Sequence, residues 1–411
     1  MRILFIVPYV PDPIRARSFN LIRSLARRGH AVEILTVWSG ARDTAALERL
    51  RQAGYGVHAL HVGRLRSLWN CVAAIPTGEP FQAAYSWHPG ARAQLTEILA
   101  GKARSLTPDV VHVEHLRGIR YALLCQALLA EQGRRVPVVW DSVDCISLLF
   151  EQAAAQSRSG FGRLAGRLDA GRTRRFEGMH AGSFDRVLAS SSADRTALVR
   201  LAASAGRPAD IVVLTNGVDL AYFTEDPGIP REPARLVLTG KMSYHANVSM
   251  VLHFVQEILP EVRRRHPGVE LWIVGKDPSK PVREMAERPG IVVTGEVPDL
   301  RPYLRSATAA VVPLVYGAGV QFKVLEAMAC STPVVMSERA ALGLALQPGI
   351  DALVADSSQA FADAVSRLLD SRELCRQMGE AGLGYVKRHH DWYRLAGQLE
   401  GVYDEVIGNS A

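Results

Sequence analysis

Cysteine is scarce in this 411-residue chain. The five present, Cys71, Cys125, Cys145, Cys330 and Cys375, are odd in number, scattered, and never spaced as a CxxC pair. That pattern excludes a disulfide framework and a cysteine-built zinc site, and it fits a reducing compartment. Long apolar runs are missing too: none approaches the roughly 18–20 residues that a membrane-spanning helix needs. The opening MRILFIVPYV breaks at Pro8 without a small-residue cleavage site, so it reads as a buried strand and not as a signal peptide. There is no short-period repeat and no low-complexity tract. No recognition motif or aromatic-interleaved basic stripe supports nucleic acid as a partner. These absences point to a cytoplasmic globular protein.

What is present is apolar and unevenly charged. At 48% hydrophobic and 22% charged residues the composition is globular, and the length calls for two domains. Residues 1–216 hold 28 Lys and Arg against 17 Asp and Glu, a net of +11; the remainder hold 20 against 24, a net of −4. A basic first half suits an anionic partner: a phosphorylated substrate, a lipid pyrophosphate or an acidic membrane face. Segment 156–176, QSRSGFGRLAGRLDAGRTRRF, concentrates six Arg and four Gly. It reads either as a solvated face or as a peripheral contact with lipid phosphate on the inner face of the plasma membrane.

Short Val- and Ile-rich runs alternate with helical patterns throughout. RILFIVPY, AVEILTVW, GVHALHV, DVVHVEH, VPVVWDSVD and RVLASS lie in the first half; RLVLTGK, VELWIVGK, IVVTGEV, AAVVPLVY, TPVVMSE and DALVAD lie in the second. Runs of this length bounded by Gly, Pro or Asp predict parallel strands covered by helices on both faces. RSFNLIRSLARRG, closed by Gly29, and NVSMVLHFVQEILPEVRRRH predict two of those helices. The fold class is therefore α/β, with two doubly wound domains. Pro208, Pro227, Pro230 and Pro233 mark the hinge region, and the expected division is 1–213, 214–388 and a C-terminal helix in 389–411 that packs back on the first domain.

The stretch YGAGVQFKVLEAMA carries the most chemistry. Gly317 and Gly319 follow a strand and open a helix, a turn that aims backbone N–H groups and the positive helix end at an anion. Lys323 in the first turn opposes the helix dipole unless a phosphate sits between them. Glu326, at i+3, shares its face and suits ribose hydroxyls. The bland alternative is a surface Lys–Glu pair. A dinucleotide fingerprint, with Glu338 as its acid, is the rival reading; against it, Phe322 fills the third glycine position and the motif lies late in its domain.

Taken with VLTNGVDLAYF, LVLTGKMSYHANVSMVLHFVQEILP, LWIVGKDP, IVVTGEVPDLRPYLRSA and HHDWYRLAGQLEGVY, and in the first half ILFIVPYVPD, DVVHVEHLRG and VVWDSVD, this stretch resembles the family 4 glycosyltransferases along nearly the whole chain. The resemblance implies the GT-B fold, two Rossmann-like domains facing a central cleft. It implies an enzyme that moves a hexosyl unit from a nucleoside diphosphate sugar, UDP- or GDP-linked, to an acceptor hydroxyl with retention. By the same resemblance, Glu326 binds the donor ribose, while Lys323 and Lys241 meet the diphosphate. Gly240, Gly275, Gly295, Val297 and Pro298 line the nucleotide, and the backbone of Gly317, Gly319 and Val320 faces diphosphate and sugar. His115 contacts the donor sugar, with Glu114 the alternative in register; an ordinary loop His or loop Lys is the bland reading for His115 and Lys241. Asp141 and Asp144 either hold the acceptor or cap the next helix.

Two positions depart from the family. Ala318 stands where the first Glu of the Glu-x7-Glu motif belongs, so donor-sugar identity does not carry over. PDPIRARSFN replaces the Gly-Gly acceptor loop, where Arg15, Arg17 and Ser18 either bind an acceptor phosphate or form a solvated face. No DxD-like motif ends a strand in the second domain, so neither a metal nor a further cofactor is expected. The acceptor is expected to be a glycan or lipid-linked sugar in polysaccharide or glycoconjugate assembly, with a small polar natural product as the alternative. A GT-B nucleotide-sugar epimerase and a nucleotide-binding module without turnover are the other readings.

Overall fold

All twelve apolar runs form strands, and every strand pair is parallel. The computed structural model describes residues 1–101, 107–156, 160–226, 228–317 and 319–409, the side chains of 152–168 excepted. Residues 157–159 and Pro227 lie outside that description, as do most side chains of the basic segment 156–176. The chain divides into two units, one of Met1–Thr215 with Tyr393–Ala411, the other of Asn216–Trp392.

The first unit is built on a seven-stranded sheet, β1 (Arg2–Val7), β2 (Ala31–Trp38), β3 (Gly56–His61), β4 (Val110–Glu114), β5 (Val138–Val143), β6 (Arg186–Ala189) and β7 (Ile211–Val213), in the order β3-β2-β1-β4-β5-β6-β7. Ile3 to Val7 are all essentially inaccessible, because β1 is central and helices cover both faces. The helix Ala16–Arg27 ends where Gly29 takes φ +92°, a conformation that costs a glycine nothing. The C-terminal helix Trp392–Gly408 belongs to this unit from Tyr393 onward. Tyr403 is buried against His112 of β4, and Glu400 pairs with Arg28 and His30. β7 is a partly exposed edge strand of three residues that the sequence pattern did not single out.

The second unit holds β8 (Arg235–Thr239), β9 (Glu270–Val274), β10 (Ile291–Gly295), β11 (Ala309–Val312), β12 (Val334–Met336) and β13 (Leu353–Val354), in the order β10-β9-β8-β11-β12-β13. The long helix expected after β8 is interrupted. It runs His245–His253, widens into a π-helical turn over Phe254–Ile258 and resumes as Leu259–Arg265. Pro260, which has no N–H to donate, sits at the start of the last piece, and the wider turn absorbs its ring. Both sheets reverse strand order beside their first strand, between β1 and β4 and between β8 and β11. Ligands of open α/β sheets bind outside the carboxyl ends of strands at such points.

Candidate functional site

In the second unit three glycines end three neighbouring strands. Gly240 follows β8 at φ +151°, Gly275 follows β9 at φ +154°, and Gly295 closes β10 at φ +71°. A Cβ on Gly275 would lie 1.7 Å from the Gly240 carbonyl oxygen, and one on Gly240 would lie 2.7 Å from Asn247. The crossing of these two loops therefore tolerates only glycine. Gly240 N–H donates to Val274 O at 3.1 Å and Gly275 N–H to Gly295 O at 3.2 Å, which ties the three strand ends into one floor. Val297 and Pro298 continue from that floor in the loop after β10; Val297 is partly buried against the core and Pro298 is exposed.

Across the switch point, the loop after β11 brings Tyr316, Gly317 (φ +151°) and Gly319 (φ +70°) to the start of the helix Phe322–Ala329. Ala318 lies outside the described residues. Val320 turns its side chain into the core, leaving backbone to face outward. Tyr316 stacks on His245 with ring centroids 5.3 Å apart, and its hydroxyl lies 2.7 Å from His245 Nδ1, so the loops after β8 and β11 are held together. Among the described residues the helix Phe322–Ala329 has no side-chain N-cap and no acid in its first turn, which leaves its positive end available to an anion.

Lys323 and Glu326 emerge from this helix half-buried. The ammonium donates to Asn247 Oδ1 at 3.0 Å and to Gln321 Oε1 at 3.1 Å. No ion pair joins Lys323 to Glu326 among the described residues, so the bland surface pair is not what forms. Burial pulls the Lys323 ammonium down to about 8 and pushes the Glu326 carboxyl up to about 7. Two groups of opposite sign share one helix face, and among the described residues neither forms an ion pair; a ligand carrying both an anion and hydroxyls would satisfy them. Lys241, by contrast, is exposed and lies 3.8 Å from Asp277. Glu338, the acid of the rival dinucleotide reading, is exposed at the start of the short helix after β12, where its N–H donates to Asp356.

In the first unit, the residues at the carboxyl ends of β4 and β5 are strained. His115 takes φ 66°, ψ 159°, a region essentially reserved for glycine, and Val143 takes φ 65°. The His115 ring accepts from Arg117 N–H at 3.3 Å, and burial, with the Arg117 charge beside it, lowers its pKa to about 3, so it is neutral. Glu114, the neighbouring residue, is buried and accepts from the Tyr9 hydroxyl. Burial and the Asp141 charge push its carboxyl up to about 7.

Arg17 and Asp141 face each other. Arg17 Nε donates to Asp141 Oδ2 at 2.7 Å and Nη2 to Oδ1 at 3.1 Å, with side chains 4% and 0% exposed. Nη2 and Nη1 also reach the Leu214 and Thr215 carbonyls at 2.9 and 3.2 Å, so Arg17 fastens the end of β7 to β5. Burial alone would raise the Asp141 pKa, but Arg17 and His112 hold it at about 2. Ser18 is fully buried beside this pair. These three therefore stand within the wall and not on its surface. Arg15 is more open, lying over the Tyr9 ring at 5.2 Å and donating to Val10 O at 2.9 Å. Asp144 accepts from Ser190 Oγ at 3.1 Å; burial and the Asp194 charge raise it to about 6. It is Glu177, not Asp144, that caps the helix after β5, accepting from Ile146 N–H at 2.7 Å. Asn247, Gln321, Tyr316 and Tyr9 had not been picked out; each lies far along the chain from the group it holds or is an uncharged neighbour of a charged one.

The chain matches two family models, the glycosyl transferase 4-like domain over residues 14–217 and the glycosyl transferases group 1 over residues 233–371. Among curated proteins it is 30% identical over 215 residues to a phosphatidyl-myo-inositol mannosyltransferase of Mycobacterium tuberculosis, a match covering 49% of this chain and 56% of that one. It is also 30% identical over 206 residues to a glycogen synthase of the same species, covering 47% and 48%. The chain thus spans about half the length of the curated relatives it matches. Its fold is that of the sucrose-phosphate synthase of Thermosynechococcus elongatus, at TM-score 0.65, 17% identity and full coverage of both chains. It is equally that of the Anabaena protein HepE, solved with UDP and glucose, at TM-score 0.63 and 15% identity over 98% of this chain and 100% of that one. With two consecutive models of one group accounting for both units, the chain belongs to the family 4 glycosyltransferases.

Proposed function

We propose that the protein transfers a hexosyl unit from a nucleoside diphosphate sugar to an acceptor hydroxyl with retention of configuration. The observation that carries this reading is the Lys323–Glu326 pair. The two share one helix face, form no ion pair with each other among the described residues, and have pKa values displaced toward each other by burial. A diphosphate at the uncapped helix end supplies the anion that Lys323 lacks. Ribose hydroxyls supply the donors that the Glu326 carboxylate lacks. The glycine floor at Gly240, Gly275 and Gly295, with Val297 and Pro298, takes the nucleoside.

During transfer, negative charge grows on the leaving diphosphate as the sugar becomes oxocarbenium-like. Lys323, the more exposed Lys241 and the N–H groups around Gly319 and Val320 oppose that charge, which is usually the largest contribution to catalysis of this kind. Retention follows if a leaving phosphate oxygen takes the acceptor proton on the same face. His115, neutral at physiological pH, is suited to accept from or donate to a sugar hydroxyl and not to carry charge. This reading assigns the diphosphate to protein groups and calls for no metal or further cofactor, a requirement that turnover in EDTA tests.

On the acceptor side the basic first half favours an anionic acceptor, a lipid-linked pyrophosphate sugar before a small polar molecule, and a peripheral contact with an anionic membrane. Arg15, whose pair with Asp43 at 3.3 Å is partly exposed, is better placed to meet an acceptor phosphate than Arg17, whose pair with Asp141 is fully buried. A thermal-shift screen of UDP-, GDP- and dTDP-sugars tests the donor: one series should raise the melting temperature in proportion to RT ln(1 + [L]/Kd), and a flat response to all of them counts against the reading. An acceptor-free NMR time course tests the chemistry, because conversion of the nucleotide sugar alone would indicate an epimerase.

A further inference from the structure

The helix Arg64–Ala73 in the first unit is inside out. It buries Ser67 (3% exposed) and Asn70, whose Nδ2 donates to Trp87 O at 2.8 Å. It turns Leu65 (85% exposed), Leu68 (64%), Trp69 (63%) and Val72 outward, at spacings that place all four on one face. Ile75 and Phe81 extend the same apolar surface. A helix in a water-soluble domain packs its apolar stripe on the core; one that does the reverse has another apolar phase to meet.

The surround of this face says which phase. Arg64 and Arg66 are exposed at the helix start. Arg172 donates to Ile75 O at 3.2 Å and lies over the Phe81 ring at 5.2 Å; Arg120, over Trp87 at 4.4 Å, and Arg117, over Tyr85 at 5.5 Å, lie instead on the side where Asn70 meets the Trp87 and Tyr85 carbonyls. Two acids lie nearby. Glu79 lies 3.5 Å from Arg120, and Asp169 accepts from the Phe81 N–H. An exposed Trp and three aliphatic side chains flanked by Arg64, Arg66 and Arg172 match the interface of a bilayer rich in acidic headgroups, where the ring seats at headgroup depth and each arginine meets phosphate. A protein partner would require a bounded, complementary surface of its own; beside this face Arg64, Arg66 and Arg172 outnumber the acids Glu79 and Asp169.

We propose that the face formed by Leu65, Leu68, Trp69, Val72, Ile75 and Phe81 docks the protein on an anionic lipid bilayer. It rests on the peripheral contact read from the charge of the first half, and it moves that contact from the segment 156–176 to a specific apolar helix. The short helix Phe81–Tyr85 packs on the loop after β4 that begins at His115, so docking would set the strained end of β4 near the bilayer surface, where a lipid-borne acceptor resides.

The test is flotation with phosphatidylcholine vesicles, with and without phosphatidylglycerol, using the full chain. The wild type should float with the anionic vesicles and stay behind with the neutral ones, and the Leu68→Glu/Trp69→Glu variant should lose about tenfold or more in partitioning. As a measurement that needs no disruptive variant, Trp69→Phe should abolish most of the fluorescence quenching that brominated anionic lipid causes in the wild type. Equal flotation of wild type and the double variant, or quenching that persists in Trp69→Phe, overturns the proposal. A concentration-dependent dimer that the double variant loses, with no flotation of the wild type, overturns it in favour of a second copy. Nucleotide binding measured on the same samples separates this proposal from the donor reading, since the double variant should bind donor as the wild type does.

Discussion

The Lys323 ammonium donates to Asn247, a residue in the first turn of the helix that follows β8, and not to Glu326 three positions away on its own helix. The bond joins the two loops on either side of the strand-order reversal and fixes the lysine over the floor formed by Gly240 and Gly275. Among the described residues Glu326 forms no ion pair.

The affinity for a nucleoside diphosphate should have a maximum near neutral pH. A diphosphate favours charged Lys323, so binding takes up a proton as pH rises through about 8, and affinity falls beyond that point. Ribose hydroxyls favour ionised Glu326, so affinity also falls as pH drops through about 7. Calorimetry in buffers of differing ionisation enthalpy checks both arms; Lys323→Ala should remove the alkaline arm alone.

Gly275→Ala should be among the most damaging single-methyl changes in the protein. The added Cβ meets a backbone oxygen at 1.7 Å, which no side-chain adjustment relieves. A loss of about 3 kcal/mol is expected, with weakened donor binding, because Gly240 must move. Thermal melting with and without nucleotide reads both effects.

Breaking the Arg17–Asp141 pair from one side should cost roughly 3–5 kcal/mol, since the partner is left buried and charged. Arg17→Met and Asp141→Leu each do this, and the double variant should recover much of the loss. The folded Asp141 pKa lies below its ordinary value, so its contribution is complete above about 4 and disappears as pH falls through about 2. Acid unfolding curves of the wild type and the double variant check the sign.

His115 is held in a glycine-only conformation, which costs about 1–3 kcal/mol. His115→Gly should therefore raise the melting temperature while lowering kcat, whereas His115→Ala keeps the strain and loses the ring, lowering kcat with no gain in stability. Equal activity in all three proteins would remove the imidazole from the mechanism.

Legibility in the sequence followed locality. Twelve strands were readable because buried runs are continuously apolar; β7, at a sheet edge with only Ile211 buried and Val213 exposed, was not singled out. Lys323 and Glu326 could be placed on one helix face from their spacing alone. What they meet could not, because β9, β10 and β11 separate Asn247 from Lys323 along the chain, although β8 and β11 are neighbours in the sheet. Likewise Arg17 read as a free cation near a helix start, and only the sheet order, which sets β1 two strands from β5, brings it onto Asp141. Pairings between distant, oppositely charged residues leave no local pattern. The inverted helix Arg64–Ala73 hid for a different reason: its apolar periodicity is ordinary, and the abnormality lies in which way it faces.

The most direct test of the nucleotide-sugar assignment is a calorimetric titration of UDP and GDP into the wild type and Glu326→Ala at neutral pH. The account predicts that one of the two binds the wild type at one site per chain. It predicts that Glu326→Ala weakens that binding by about tenfold or more, with an unchanged melting temperature in the absence of nucleotide. Indistinguishable affinities in the two proteins, or no binding of either nucleotide to the wild type, would contradict it.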